Sequence, residues 1–363
     1  MNITIVAGAR PNFMKIAPVI KSVKKFQKTE KQLRYRLVHT GQHYDASLSK
    51  VFFEELGIPN PDTNLGVGSG SHATQTAKIM MEFEKELQKH PADCVIVVGD
   101  VNSTMACTIV AKKMHTRVAH IEAGIRSFDL DMPEEINRMV TDSITDFAFT
   151  TSKYANQNLI KAGFDRDRIF FVGNTMIDTL MSQLDSLTRP AIWEKEQLEK
   201  KKYIVLTLHR PSNVDDPGNF KNILETISSS VSGRKIIFPV HPRTQRAFDQ
   251  ITVPENLVTV DPMPYLQFIY LVRHSLGVVT DSGGIQEETT VMDIPCITLR
   301  NSTERPETVD VGTNILLKPE DIDQLPGLLK KMSENGWQMG QVPDLWDGKT
   351  SDRIVRHLLE LHE

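Results

Sequence analysis

Acidic and imidazole side chains recur at one kind of place in this chain, just after short β-branched runs. Asp100 follows the run 95–98, Glu122 follows 118–121, and His209 follows 205–208. His241-Pro242 ends another such run. Glu134, Glu135 and Arg138 open a helical stretch after Pro133, and the i,i+4 spacing of Glu134 and Arg138 puts them on one helix face. Any one of these alone reads as a solvated loop charge or a helix-start acid. Repetition at one topological position makes them a set, able to move protons and steady anions.

Two glycine turns offer phosphate chemistry. Gly8-Ala9-Arg10-Pro11-Asn12 follows a first strand and opens a helix, whose N-terminus presents unpaired N–H groups and a positive dipole end. Arg10 and Lys15 add positive charge. The turn is not a Walker A loop, because GxxxxGK[ST] is absent. Asp281-Ser282-Gly283-Gly284 is the stronger case. Ser282, Gly283 and Gly284 would bare backbone amides to a diphosphate, and Glu288, one turn in, suits sugar hydroxyls. The plainer reading is a helix start capped by Ser or Asp.

Other chemistries lack their residues. The glycine run 66–70 follows no clear strand, and no Tyr-x-x-x-Lys occurs, so no nicotinamide cofactor is expected. There is no HExxH, and His39 and His43 straddle Gly41 in loop, so no metal is expected either.

These residues need a scaffold of alternating strands and helices. Strands are expected over 3–6, 35–39, 94–98, 117–121, 203–207, 235–239, 276–280 and 294–298. Helices are expected over 12–26, 72–89, 102–114, 133–145, 219–229, 266–272, 283–291, 319–332 and 350–362. The charged run 194–202 reads as a solvated helix end or linker. Alternation of this kind predicts parallel sheets covered on both faces, in two doubly wound α/β domains facing a central cleft. The 363-residue length fits two domains.

Composition agrees with a folded, soluble chain: 40% hydrophobic and 24% charged residues, which leaves enough apolar material for two cores. A net charge of −4 gives no nucleic-acid footprint. No apolar run approaches the ~18 residues of a membrane span, and the N-terminus lacks a signal-peptide pattern. Cys94, Cys107 and Cys296 form no CxxC pair, so a reducing cytoplasm is expected.

Taken in order, GARPNFMK (8–15), GQHYD (41–45), VVGDVNS (97–103), HIEAGIRS (120–127), PEEINR (133–138), TLHRPSNVD (207–215), PVHPRT (239–244), TDSGGIQEE (280–288) and TERPE (303–307) resemble the non-hydrolysing UDP-N-acetylglucosamine 2-epimerase family over nearly the whole chain. The resemblance implies the B-type glycosyltransferase fold, with an N-terminal domain over 1–173 joined by a returning helix over 350–363, and a UDP-binding domain over 174–349. It implies inversion at C2 of a UDP-2-acetamido sugar without a cofactor, by elimination of UDP to a 2-acetamidoglucal and re-addition. By motif match Asp100, Glu122 and Glu134 are the acid/base carboxylates, and His209 contacts the diphosphate or sugar. Arg10, Ser282, Gly283 and Gly284 hold the diphosphate and Glu288 the ribose. Lys15, Phe268, His241 and Arg305 line the substrate pocket, and Arg138 orients a carboxylate or meets phosphate. A homodimer is implied as well. TLHRPSNVD differs from the common HRRE-type form, so a related UDP-sugar such as a diacetamido uronic acid stays open as substrate, as does a hydrolysing outcome that releases N-acetylmannosamine and UDP.

Overall fold

The computed structural model describes residues 1–41, 56–231, 233–240, 242–248, 250–334 and 336–362. The chain divides into two compact units, Met1–Ser182 with Asp344–Glu363, and Gln183–Pro343. Each is a parallel α/β sheet with its own core.

The first unit's strands are β1 (Asn2–Ala7), β2 (Arg34–His39), β3 (Thr63–Asn64), β4 (Cys94–Val98), β5 (Arg117–Ile121), β6 (Phe147–Thr150) and β7 (Ile169–Phe171). Their order across the sheet is β3-β2-β1-β4-β5-β6-β7, all parallel. The run CVIVV of β4 is buried at every position, as a strand covered by helices on both faces must be. Parallel neighbours need crossovers, and the helices Arg10–Phe26, Asn102–Lys113 and Pro133–Ile144 supply them.

The second unit repeats the plan with β8 (Tyr203–Thr207), β9 (Lys235–Pro239), β10 (Leu257–Val260), β11 (Gly277–Thr280), β12 (Cys296–Leu299) and β13 (Asn314–Leu317), in the order β10-β9-β8-β11-β12-β13. Successive residues of β8 feed opposite faces. Ile204 and Leu206 join one core with Phe220 and Phe238, whereas Tyr203 and Val205 join another with Trp193 and Leu271.

In both sheets the winding reverses once, between β1 and β4 and between β8 and β11. Outside the strand C-termini at such a reversal lies the crevice where doubly wound sheets take ligands.

Several features depart from the sequence expectation. β3, β6, β7, β10 and β13 are additional strands of two to four residues, too short to show a period. The helix expected over 319–332 is a 3-10 piece, Pro319–Gln324, followed by an α-helix, Leu325–Ser333. Pro326 lacks the N–H a continuous helix would need and restricts the residue before it. The charged run 194–202 is a solvated helix end, as expected: it overlaps the end of the helix Ala191–Lys195 and exposes most of its charged residues, with only Leu198 buried in the second unit's core.

The first unit extends to Ser182 and regains the chain at Asp344, where the sequence expectation put the divisions after 173 and before 350. The helix Thr175–Gln183 is tied to the first unit by Thr179, whose hydroxyl donates to Met14 O at 2.6 Å. Its Asp178 accepts from the backbone N–H groups of Thr350 (3.0 Å) and Ser351 (2.7 Å), which satisfies the start of the last helix, Thr350–Glu360. That helix buries Ile354, Val355 and Leu358 within the first unit, and Asp352 accepts from Ser22 Oγ at 2.7 Å.

Candidate functional site

In the first unit the chemistry gathers at the C-termini of β1, β4 and β5. Asn12, two residues into the helix that leaves β1, folds its side chain back. Its Oδ1 accepts from the N–H groups of Gly8 (3.1 Å) and Ala9 (3.0 Å), and its Nδ2 donates to Val98 O at 3.2 Å. The turn after β1 is thereby fixed to the end of β4. Arg10 is the first residue of this helix, but its side chain lies outside the described set.

One turn on, the buried Lys15 places its ammonium on the Glu122 carboxylate. Gly99 makes room for this pair. Its φ is +67°, and a Cβ there would stand 3.1 Å from Lys15 Nζ and 3.4 Å from Glu122 Oε2. Glu122 itself has φ +71°, a left-handed conformation that costs a side-chain-bearing residue roughly 1–3 kcal/mol. Hydrogen bonds from Glu122 N (3.0 Å) and Ala123 N (3.1 Å) to Phe149 O hold it there.

Asp100 receives the guanidinium of Arg138, and its backbone carbonyl accepts from Asn137 Nδ2 at 2.8 Å. Arg138, which the sequence places on one helix face with Glu134, also donates to Glu135 Oε2 at 2.9 Å. Glu135 also accepts from the Ser127 N–H (2.9 Å) and hydroxyl (3.0 Å), so this acid is structural. Glu134 lies half-buried in the first turn of the same helix.

In the second unit Asp281, fully buried at the end of β11, organises the turn after β8. Its carboxylate accepts from His209 N (2.9 Å), Arg210 N (2.8 Å), Asn213 Nδ2 (3.1 Å) and His209 Nδ1 (2.7 Å). Burial alone would raise its pKa. The His209 bond and charge, with the Arg210 and Asn213 donors, outweigh this and hold it below the usual carboxylate range. His209 is thereby anchored while its side chain remains 42% exposed, open to a ligand.

Ser282, Gly283 and Gly284 follow directly at the start of the helix Gly283–Val291. Ser282 makes no side-chain cap bond there, so the plainer capping role is not the one it plays. Glu288 sits in the second turn, buried, with Tyr265 Oη donating to its Oε1 at 2.7 Å. Burial pushes the Glu288 carboxyl up to about 8, against the lowering effect of the Tyr265 hydroxyl and with the added charge of Glu287.

Arg305 is paired with buried Glu287, and Arg300 makes a two-pronged pair with Glu304 at 2.7 and 2.8 Å. Both ion pairs brace the loop after β12. Phe268 packs half-buried on the second unit's core. His241 lies outside the described residues, as do residues 42–45 of GQHYD.

The structure thus brings Lys15, Asp100, Glu122 and Arg138 together in one unit, and His209, Ser282, Gly283, Gly284 and Glu288 around the β8 and β11 ends in the other. Asn12, Gly99, Asp281 and Tyr265 complete these groups and were not among the candidate site residues. Asn12 and Asp281 gave a signal as members of the two glycine turns, and Gly99 as part of VVGDVNS. A cavity of about 580 Å³ in the first unit is lined by apolar Ala73, Ala77, Met80, Met105 and Ile136 together with polar His72, Asn102, Asp131 and Asn137, with neither Lys nor Arg among its described lining residues. No helix among the described residues is long and apolar enough to cross a membrane.

A family model described as UDP-N-acetylglucosamine 2-epimerase matches residues 24–359. The chain is 39% identical to the UDP-N-acetylglucosamine 2-epimerase of Methanocaldococcus jannaschii, covering 99% of both chains. It is 37% identical to the UDP-2,3-diacetamido-2,3-dideoxy-D-glucuronate 2-epimerase of Pseudomonas aeruginosa, covering 99% of this chain and 100% of that one. The crystal structure of the Methanocaldococcus jannaschii enzyme in complex with UDP-GlcNAc and UDP superposes with a TM-score of 0.86, covering 99% of this chain and 100% of that one.

Proposed function

We propose, for a chain that belongs to the UDP-N-acetylglucosamine 2-epimerase family, that it converts UDP-N-acetylglucosamine to UDP-N-acetylmannosamine without a cofactor. The C2 hydrogen has no neighbouring carbonyl to acidify it, so direct deprotonation is prohibitive. In the proposed route a carboxylate takes the C2 proton as the C1–O bond breaks. UDP leaves as the anion and a 2-acetamidoglucal remains. Protonation at C2 from the opposite face and return of UDP to C1 give the epimer.

The observation that carries this reading is the pairing of Asp100 and Glu122, each on a buried cation, at neighbouring strand ends. Glu134, on the helix that delivers Arg138, is the third carboxylate of the set. The second unit supplies what the departing diphosphate needs: the N–H groups of Ser282, Gly283 and Gly284, the helix dipole behind them, and the anchored His209. By motif match Arg10 also meets the diphosphate, and Lys15, Arg305 and His241 are substrate contacts. Glu288 takes the ribose, and Phe268 lines the pocket.

A second reading, epimerisation of a UDP-diacetamido uronic acid, is favoured by the 37% identity over the full length of the Pseudomonas aeruginosa enzyme. Incubation with each UDP-sugar alone, followed by NMR, tests both. The main reading expects the UDP-linked epimer of N-acetylglucosamine. Free N-acetylmannosamine would mean hydrolysis, and turnover of only the diacetamido sugar would move the assignment to the second reading.

We also propose a homodimer, supported by the exposed Phe128, Leu130, Ile136 and Met139. A monomer by light scattering would contradict it. A cytoplasmic setting fits the buried free thiols Cys94, Cys107 and Cys296.

A further inference from the structure

Beneath Asp100 and Glu122 lies a buried ion cluster that the proposed chemistry does not use. His120, on β5, is completely buried. Its Nδ1 is 2.7 Å from Asp142 Oδ1 and its Nε2 is 2.9 Å from Gly99 O. A carboxylate and a carbonyl only accept, so each ring nitrogen of His120 faces an acceptor. Asp142 also meets Arg126 Nη1 at 2.6 Å and accepts from Gly124 N at 3.1 Å. Burial would raise the Asp142 pKa, but His120 and Arg126 hold it below the ordinary range, in keeping with a carboxylate that only accepts.

The two ends of this cluster are the two catalytic turns. Gly99 O belongs to the peptide that leads into Asp100, and Gly124 N lies two residues beyond Glu122. Glu122, at φ +71°, is held in a left-handed conformation that its side chain disfavours, between Gly99 at +67° and Gly124 at +77°, which glycine adopts freely. Gly99 N donates to Ile121 O at 3.1 Å, which couples the two turns on the backbone side. His120 couples them from below.

We propose that His120 is a positioning residue for the epimerisation, fixing the peptide that carries Asp100 against the turn that carries Glu122 through Gly99 O on one side and Asp142 on the other. The inference rests on the acid/base reading of Asp100 and Glu122. It goes beyond that reading because His120 touches neither carboxylate.

The two ring nitrogens can be replaced one at a time. His120→Asn puts an amide N–H near the place of Nδ1, facing Asp142, and loses the bond to Gly99 O. His120→Gln puts one near the place of Nε2, keeps the Gly99 bond and loses that to Asp142. The expected result is a kcat loss at least tenfold larger in the Asn variant than in the Gln variant, with KM for UDP-N-acetylglucosamine changed less than threefold in both. Equal kcat losses, or losses that simply follow the thermal unfolding temperatures, overturn the proposal.

Asp142→Asn provides a second route should His120→Asn fail to fold. Its amide can donate to Nδ1, and the neutral ring can still donate from Nε2 to Gly99 O, so kcat should stay within about tenfold of the His120→Gln value. A collapse of kcat in folded Asp142→Asn counts against the Gly99 contact. Asp100→Asn and Glu122→Gln run beside these. If both keep near-wild-type kcat, the acid/base reading has failed, and His120 has nothing to position.

Discussion

Burial of Glu288 makes a pH experiment with a definite sign. Its carboxyl is pushed from an ordinary 4.5 to about 8, chiefly because burial disfavours the charged form. A raised pKa means that the folded protein holds this proton more tightly than the unfolded chain does. The resulting stability is fully present below pH 4.5, is lost progressively as pH rises through 8, and levels off above it. At ~1.4 kcal/mol per pH unit the ceiling is about 5 kcal/mol, and relaxation of the site or entry of water reduces it. Glu288→Gln keeps the size and the acceptor for Tyr265 Oη but cannot ionise. Calorimetric unfolding of both proteins from pH 5 to 9 should therefore show wild type losing stability relative to the variant as pH rises, by at least ~2 kcal/mol across the range. A difference that stays flat with pH would mean that Glu288 is solvated or paired with a cation when folded, and would refute the reasoning from burial.

Three further outcomes follow from the same geometry. Asp100→Asn, Glu122→Gln and Glu134→Gln should each lower kcat by ~10²–10⁴-fold with smaller effects on KM, and a variant that keeps its kcat removes that residue from proton transfer. Gly99→Ala forces a Cβ against the Lys15–Glu122 pair and into a left-handed conformation. It should cost roughly 1–2 kcal/mol of stability and about 10–100-fold in kcat, and an unchanged rate would show that the pair tolerates displacement. Prolonged dialysis against EDTA, with no nicotinamide added, should leave turnover intact, whereas activity restored only by a metal ion or by NAD would contradict cofactor-free chemistry.

The fold was legible where segments were long and apolar. The runs of β4 and β8 are continuous and β-branched, and both appear at the expected residues, as do the helices His72–Lys89 and Gly283–Val291. Short edge strands such as β7 and β13 were not, because three or four residues cannot display alternation.

At the site, Asp100, Glu122 and His209 could be read from their places after strands. Their partners could not. Lys15 meets Glu122 across 107 residues of chain, and His209 meets Asp281 across 72, so only the folded sheet order brings them together. Arg138 shows the limit of helical spacing. The i,i+4 spacing puts it on one face with Glu134 but does not show that it reaches back to Glu135 and across to Asp100.

Proton exchange at C2 tests the central claim most directly. UDP-N-acetylglucosamine is incubated with the enzyme in D₂O and both nucleotide sugars are followed by proton NMR. Elimination and re-addition predict that the C2 proton signal disappears from the UDP-N-acetylmannosamine formed, and from the recovered substrate as the reaction reverses. Formation of the epimer with its original C2 proton retained would contradict the account, since no carboxylate could then have exchanged that proton with water.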